Sequence, residues 1–213
     1  MTAGIQVKGS HGVLQIDELY KNLSKTAKGT VSGSSLALSG VTTPVLALRT
    51  TDTGGVLIGT ISISSGTVTY SFRTGPVSTT YYLFDTPPAT ALHGFGFQVF
   101  TAAGATAFDT SAEYLKIVGQ YTLNYPSGGA YTGVTEPTGK TYAFVQIDSG
   151  EWNQDIGSGQ TYIGAYNVFM DGTLKQFKTV QSAQLTSRSG PSTSGPLVQV
   201  RPPIILVLDV TGL

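Results

Sequence analysis

Apolar and polar residues alternate in short runs along this chain, and each run stops at a turn-forming residue. Residues 56–64 alternate, Ser65-Gly66 interrupts them, and residues 67–73 alternate again. A period of two, bounded by Gly, Ser or Asp, is typical of half-buried β-strands. No segment keeps a helical period for three turns. The pattern predicts an all-β fold, an antiparallel β-sandwich with little helix, formed by residues 1–213 as a single unit.

Further strands are predicted in the rest of the chain. Residues 81–85 are mainly aromatic, and residues 141–148 and 162–170 combine aromatic with β-branched residues, as strands do. Asp171-Gly172 is a strong hairpin signal and predicts a return strand at 173–177. The apolar run 204–208 suits a strand buried on both faces, by the fold itself or by a neighbouring subunit. Residues 186–196, rich in Ser, Gly and Pro, predict a flexible loop or tether.

One hairpin pattern occurs twice. Residues 97–109 have the pattern of two short strands joined by a turn with a glycine. The opening of the chain matches it without a gap, because Gly4, Gln6, Val7, Gly12 and Asp17 align on Gly96, Gln98, Val99, Gly104 and Asp109. The repeat predicts one hairpin used twice, and with it two related halves, residues 1–90 and 91–213.

Charge is scarce in this chain. Charged residues make up 11% of it, against about 25% in typical soluble proteins. The 12 basic residues balance the 12 acidic ones, and 40% of the residues are apolar. No run of Lys or Arg could follow a phosphate backbone, so we expect no nucleic-acid partner. A net charge near zero favours association with neighbouring proteins.

Three absences limit the kinds of site and the cellular location that we expect. The chain has no cysteine, which excludes disulfides, zinc-thiolate sites and cysteine nucleophiles. Its first residues lack a charged segment followed by an apolar one, so no signal peptide is predicted. The apolar run 204–208 is far shorter than the roughly 20 residues that span a bilayer, so no membrane insertion is expected.

Few residues resemble a catalytic or ligand-binding motif. Residues 139–141, Gly-Lys-Thr, resemble the end of a phosphate-binding loop, but the glycine that the motif requires is replaced by Val134. A strand is predicted to follow instead of a helix, so we interpret the segment as a turn. The two histidines, His11 and His93, lack the spacing of metal ligands, and no Gly-x-Ser-x-Gly motif is present. Both are expected to be solvated or hydrogen-bonded turn residues.

Two acids and three aromatics are candidates for a role beyond packing. Asp17 and Asp109 hold equivalent positions in the repeat and could form a carboxylate pair. An Asp that follows a strand usually accepts a hydrogen bond from its own following backbone, which is the role we favour. Trp152 lies in a polar segment predicted to be a loop, with Tyr125 and Tyr131 in nearby loops. These aromatics could stack on sugar rings or contact a protein, or the indole of Trp152 could fold back onto the sandwich.

Four segments carry a family resemblance: residues 4–23 (Gly-Ile-Gln-Val…Tyr-Lys-Asn-Leu), 81–87 (Tyr-Tyr-Leu-Phe-Asp-Thr-Pro), 96–118 (Gly-Phe-Gln-Val-Phe…Tyr-Leu-Lys-Ile-Val) and 206–212 (Leu-Val-Leu-Asp-Val-Thr-Gly). They resemble a family of uncharacterised tailed-bacteriophage virion proteins. Members of that family are usually predicted to be tail or tail-fibre components. The resemblance implies a structural role and no catalytic residues, metal site or cofactor.

Taken together, these features predict a structural component of a bacteriophage virion, a tail, tail-tip or tail-fibre protein that acts by protein–protein assembly and not as an enzyme. Its expected partners are other virion proteins and copies of itself in a symmetric homo-oligomer. Its expected location is the virion, after synthesis in the host cytoplasm. One alternative is a receptor- or carbohydrate-binding module for host attachment, using Trp152 and its neighbours. A second is a glycan-degrading enzyme with two acids about 5–9.5 Å apart in a cleft.

Overall fold

The computed structural model describes residues 7–8, 14–16, 22–31, 33–73, 78–87, 96–123, 134–155, 160–171, 175–189 and 198–213. Among these, only the backbone is described before residue 17, at residues 155 and 160–161, and over 181–200. Its seventeen strands are β1 (Val7–Lys8), β2 (Leu14–Ile16), β3 (Ser24–Val31), β4 (Ser35–Ser39), β5 (Val45–Arg49), β6 (Ile58–Ser64), β7 (Thr67–Phe72), β8 (Thr79–Asp85), β9 (Gln98–Phe100), β10 (Thr106–Asp109), β11 (Ile117–Thr122), β12 (Tyr142–Asp148), β13 (Glu151–Asp155), β14 (Gln160–Asp171), β15 (Gln176–Ser189), β16 (Val198–Arg201) and β17 (Ile204–Asp209). No helix lies in the described residues, so the predicted all-β fold class is confirmed.

The strands form antiparallel sheets that pack together as a sandwich. The largest has six strands in the order β11-β17-β12-β5-β8-β3. A three-stranded sheet, β4-β7-β6, and a four-stranded sheet, β15-β14-β13-β16, share a core with one of its faces. Two further sheets are the hairpins β1–β2 and β9–β10.

Both faces of the six-stranded sheet are apolar. On β5, Leu46 and Leu48 lie in the larger core, whereas Ala47 between them lies in a smaller core on the other face. On β17, Val207 and Leu208 divide in the same way. Because successive strand residues point to opposite faces, a continuous apolar strand serves both cores. The two-sided burial expected of residues 204–208 is therefore supplied by the fold itself.

The larger core fills the space between the sheets. The three-stranded sheet contributes the alternating apolar residues of β7, and the four-stranded sheet contributes Met170 and Phe177. Phe144 of β12 meets Phe177 edge to face, with ring centroids 5.7 Å apart and ring planes at 76°. This is a favoured aromatic geometry. Core packing therefore joins the sheets, in addition to the backbone hydrogen bonds within each.

The strand order of the six-stranded sheet is symmetrical about its central pair, β5 and β12, where Leu48 lies opposite Phe144. On one side, β3 lies at the edge, β5 at the centre and β8 between them. On the other side, β11, β12 and β17 hold the same three places in the same chain order. This is the arrangement expected of two related halves. The division of the chain at residue 90 stays a prediction.

The two hairpins have the same register. Their opposite residues are Val7–Ile16 and Lys8–Leu14 in the first, and Val99–Phe108 and Phe100–Thr106 in the second. One sequence offset relates every residue of the first hairpin to its counterpart in the second. Each hairpin also has a register shift of one residue at the equivalent place. The predicted repeated hairpin is confirmed.

The two edges of the six-stranded sheet meet at one end. Ser24 of β3 forms an isolated antiparallel bridge with Tyr114, shortly before β11 begins. The backbone N–H of Lys25 donates to the carbonyl of Glu113 at 2.7 Å, and that of Leu115 donates to the carbonyl of Leu23 at 3.0 Å. The sheet is therefore curled, and the edge at β3 is covered where that strand begins.

Some predicted boundaries were wrong. β15 runs to Ser189, so residues 186–189 are strand and not part of a loop, while residues 190–196 lie outside the described residues. The backbone ladder between β14 and β15 continues to Gln160 opposite Ser189, and it holds polar residues as well as apolar ones. β3 was not predicted, because its Ser, Lys and Thr residues lack apolar alternation. Neighbouring strands, not local pattern, determine both segments.

Candidate functional site

The predicted contact residue Trp152 lies inside the fold. It belongs to β13, opposite Gly164 of β14, and not to the predicted polar loop. Its side chain is 5% exposed, and its indole Nε1 donates to the carbonyl of Ala165 at 2.8 Å. A Cβ at Gly164 would overlap the indole ring, so the glycine makes room for it. Of the two alternatives, the structure shows the indole folded back onto the sandwich, where it presents no face to a sugar.

The other predicted contact residues, Tyr125 and Tyr131, lie outside the described residues. So do His11, His93 and Asp17. The expectations for these five side chains stay predictions.

Asp109 has the structural role that the sequence favoured. Its Oδ1 accepts hydrogen bonds from the backbone N–H and the hydroxyl of Ser111, at 2.8 and 2.5 Å. Its Oδ2 accepts from Nε2 of Gln98 at 2.7 Å, across the hairpin. The residue is 2% exposed. The carboxylate therefore closes the turn after β10 and joins it to β9.

Residues 139–141 form the predicted turn. The backbone N–H of Lys140 donates to the carbonyl of Pro137 at 3.0 Å, and β12 begins at Tyr142. The ammonium of Lys140 donates to Oδ2 of Asp209 at 2.8 Å, and the N–H of Thr211 donates to Oδ1 at 3.0 Å. These contacts, the lysine first, lower the pKa of Asp209 to about 2. The lysine thus holds the end of β17 against the turn.

A cleft of about 560 Å³ opens between β3, β8 and the loop after β4. Asp85 on its wall is 5% exposed and accepts hydrogen bonds from the N–H groups of residues 42–43 and of Thr86, each at 2.7 Å. Burial raises the pKa of Asp85, but these hydrogen bonds outweigh burial, so the pKa lies below its usual value. Lys25, also on the wall, forms an ion pair with Glu113. Both charged groups are therefore engaged in structural contacts.

A buried ion pair joins β5 to the segment before β12. Nη1 of Arg49 lies 2.6 Å from Oε2 of Glu136, and it also donates to the carbonyl of Tyr142 at 2.5 Å. The N–H of Tyr142 donates to Oε2 of Glu136 at 2.6 Å. The side chains of Glu136 and Arg49 are 4% and 18% exposed. Each charge is compensated by the other and by backbone groups, which makes this cluster a structural connection.

The surface feature that differs most from the rest of the described chain is β6, the outer strand of the three-stranded sheet. Among the described strands, only β7 pairs with it. Ile61 and Ile63 lie opposite Tyr70 and Val68, so they belong to the face of the sheet that forms the core. Tyr70 and Val68 are 4% and 5% exposed, whereas Ile61 and Ile63 are 58% and 77% exposed. The apolar face therefore continues beyond the part that the described residues cover.

The edge of β6 is protected only at its start, where the N–H of Ile58 donates to Oε1 of Gln146 at 2.9 Å and Nε2 of Gln146 donates to the carbonyl of Ile58 at 3.0 Å. The strand is Ile-Gly-Thr-Ile-Ser-Ile-Ser, seven residues without a charge or a proline. Natural proteins usually protect an exposed edge strand with lysine, proline or a covering segment. The hairpin turn into β7 consists of Ser65 and Gly66, both with positive φ, as a type I′ turn requires. This turn fixes the register of β6 and hence the face on which its isoleucines lie.

Sequence reasoning predicted this strand but not its exposure. Alternation shows which residues share a face, and it does not show what covers that face. The available signal was the complete absence of charge in β6, in contrast to the two lysines of β3.

In the part of the chain that the structure describes, no group of three or more His, Asp or Glu side chains is placed to hold a metal ion. Nor do those residues include a helix long and apolar enough to cross a membrane. Comparisons with known proteins find no match to this chain among family models, curated proteins or solved structures. The family resemblance stays a prediction, and the candidate site is the open edge of β6.

Proposed function

We propose that this chain is a structural component of a bacteriophage virion, in the tail, its tip or its fibres, and that it acts by assembly with other virion proteins and with copies of itself. The observation that carries the proposal is the open apolar edge of β6, with Ile61 and Ile63 58% and 77% exposed. The resemblance of four segments to virion proteins gives the biological setting.

An open edge strand is suited to assembly. Its outward backbone N–H and C=O groups can pair with a strand from another chain. Exposed apolar side chains on such a strand gain free energy when a partner removes them from water. β6 offers both features beyond Ile58, whose own N–H and carbonyl are bonded to the side-chain amide of Gln146.

The outer face of the three-stranded sheet also favours close contact with neighbours. It carries hydroxyl side chains, and the hydroxyls of Ser39 and Thr67 lie 2.9 Å apart. Covering neutral hydroxyl groups requires less desolvation free energy than covering charged groups. With only 11% charged residues and a formal net charge of zero, the chain suits a crowded assembly.

The receptor- or carbohydrate-binding alternative has less support than it had from sequence. It depended on an exposed aromatic platform, and Trp152 is 5% exposed. Tyr125 and Tyr131 lie outside the described residues and add no geometry to it.

Particle composition tests the proposal. Mass spectrometry of purified virions from the phage that encodes this chain should detect it in many copies, and antibodies against it should label the tail in electron micrographs. A matched preparation with an early stop codon in the gene is the control, and it should yield particles with missing or incomplete tails. Virions that lack the chain and still infect normally would refute the proposal.

A further inference from the structure

We infer that β6 is a self-association surface, on which a second copy of this chain places its own β6 in antiparallel pairing about a two-fold axis through Ser62. The inference rests on the proposed function, since assembly is the process that such an edge serves. It goes further by naming the partner, the strand and the register.

The buried face of the three-stranded sheet determines the orientation of the partner. Tyr70 and Val68 lie in the core, and Ile61 and Ile63 continue the same face outward. A second sheet joined edge to edge, with its apolar face on the same side, extends this face across the join. The two isoleucines of each copy then cover those of the other copy.

The alternation of β6 selects the register. Residues directly opposite each other in a sheet point to the same side, so the two-fold axis must pass through a residue and not between two residues. An axis at Ser62 places Ile61 opposite Ile63 of the second copy, and Ile63 opposite its Ile61. An axis at Ile61 would place Ile63 against Gly59, and an axis at Ile63 would place Ile61 against Ser65. Only the axis at Ser62 pairs all four isoleucines.

A second copy is the occupant because the edge is complementary to itself. β6 has no charged residue of its own, and Arg73, whose side chain packs on Gly59, would lie at opposite ends of the join in the two copies, so two identical edges meet without close like-charge contact. The same register sets Thr60 opposite Ser64, and opposed hydroxyl side chains can hydrogen-bond across strands. β3 is unsuited to self-pairing, because Lys25 and Lys28 would place like charges at the join.

Cysteine cross-linking tests the register, and the natural chain contains no cysteine to interfere. In the purified full chain, Ser62→Cys should form a disulfide-linked dimer under mild oxidation, because the two introduced thiols lie opposite each other. Ser64→Cys should form far less, since four residues of strand would place its two thiols about 14 Å apart. A mixture of Ser64→Cys and Thr60→Cys should cross-link between the two variants. Ser35→Cys, exposed on β4, reports random collision.

Charge insertion tests the surface independently. Light scattering over a range of concentrations should show a dimer of the natural chain. Ile63→Lys should weaken dimerisation at least about tenfold, because it places lysines within an apolar join. The matched control is Ile117→Lys, which adds the same charge at an isoleucine 58% exposed on β11 and should leave dimerisation unchanged. Circular dichroism should show that both variants keep the β fold, since both side chains are mainly in solvent.

A natural chain that stays monomeric at every concentration would overturn the inference. So would equal cross-linking of Ser62→Cys and Ser64→Cys, or equal dimerisation of Ile63→Lys and the natural chain. These measurements use the isolated chain, so they do not depend on where it acts. Specific cross-linking at residue 62 together with virions that lack the chain would refute the proposed function and uphold the self-association surface.

Discussion

The six-stranded and the three-stranded sheets differ in sequence pattern, continuously apolar at β5 and β17 but alternating at β6 and β7, and the protein covers them to very different extents. In the six-stranded sheet, Leu48 and Phe144 are fully buried on one face, and Ala47 and Ala143 are fully buried on the other. In the three-stranded sheet, the inward residues of β7 are buried, with Tyr70 4% exposed, whereas Ile63 of β6 is 77% exposed. The six-stranded sheet with its two cores is therefore a closed body. Within the three-stranded sheet, β7 and β6 share one alternating pattern, yet β7 is covered and β6 is an open margin.

The edges of the two sheets differ in the same sense. At β3, Lys25 forms an ion pair with Glu113, and the ammonium of Lys28 donates to the carbonyl oxygen of Leu213 at 2.6 Å. The first residues of β3 are also covered by backbone hydrogen bonds to residues 113–115. β6 has no charge, and beyond Ile58, whose backbone groups bond to the Gln146 side chain, no described strand covers its edge. The protein thus protects the β3 edge of the six-stranded sheet and leaves the β6 edge of the three-stranded sheet free to pair. The experiments below test this difference.

The largest expected effect is in the closed body. Phe144→Ala removes a fully buried ring that contacts Phe177 edge to face, so it should lower the free energy of unfolding by about 3–5 kcal/mol. Urea unfolding followed by tryptophan fluorescence measures the change, since Trp152 is the single tryptophan. A loss of unfolding free energy below about 1 kcal/mol would mean that the six-stranded sheet tolerates a cavity in its core. The predicted difference in stability between this core and β6 would then be absent.

The buried ion pair should give the next largest effect. Glu136→Gln leaves the guanidinium of Arg49 without its anionic partner, and we expect a loss of about 3 kcal/mol in unfolding free energy. This is the lower end of the usual range, because Arg49 keeps 18% of its side chain exposed. Lys140→Gln is the control, as it breaks the exposed ion pair with Asp209 and should cost much less. Equal losses in the two variants would contradict the assignment of the Arg49–Glu136 pair to the closed body.

The sequence predicted much of the fold and little of the site, for physical reasons that particular residues make clear. Alternation and turn chemistry are local, and they predicted β6, β7, the Asp109 turn and the repeated hairpin. Long-range contacts are not local, so β3 was missed, and Trp152 was placed in a loop although Gly164, twelve residues later, makes its pocket. Exposure of Ile61 and Ile63 depends on what lies beyond β6, where the described chain places no further strand, and no pattern within β6 encodes this.

Acid titration should produce a smaller, pH-dependent effect at the end of β17. The pKa of Asp209 is about 2 in the folded chain, against an ordinary value of 3.8, with the Lys140 hydrogen bond as the first cause. Between these values the unfolded chain binds more protons than the folded chain, so this carboxylate adds stability above pH 4 that is lost as the pH falls towards 2. Asp209→Asn should therefore flatten the acid limb of the stability profile in this window, as measured by urea unfolding at a series of pH values. An unchanged acid limb would show that the Asp209–Lys140 contact contributes nothing to the unfolding free energy.

The smallest expected effect on stability is at β6, the open margin of the three-stranded sheet. Ile63→Ala removes a side chain that is 77% exposed in the single chain, so at concentrations where the chain is monomeric its unfolding free energy should change by less than about 0.5 kcal/mol. The same variant should weaken dimerisation, because apolar area that is open in the monomer is covered only in the pair. Urea unfolding of the dilute chain and light scattering of the concentrated chain separate the two quantities. A large loss of monomer stability would mean that Ile63 belongs to the closed body, whereas loss of association alone assigns β6 to docking and not to folding.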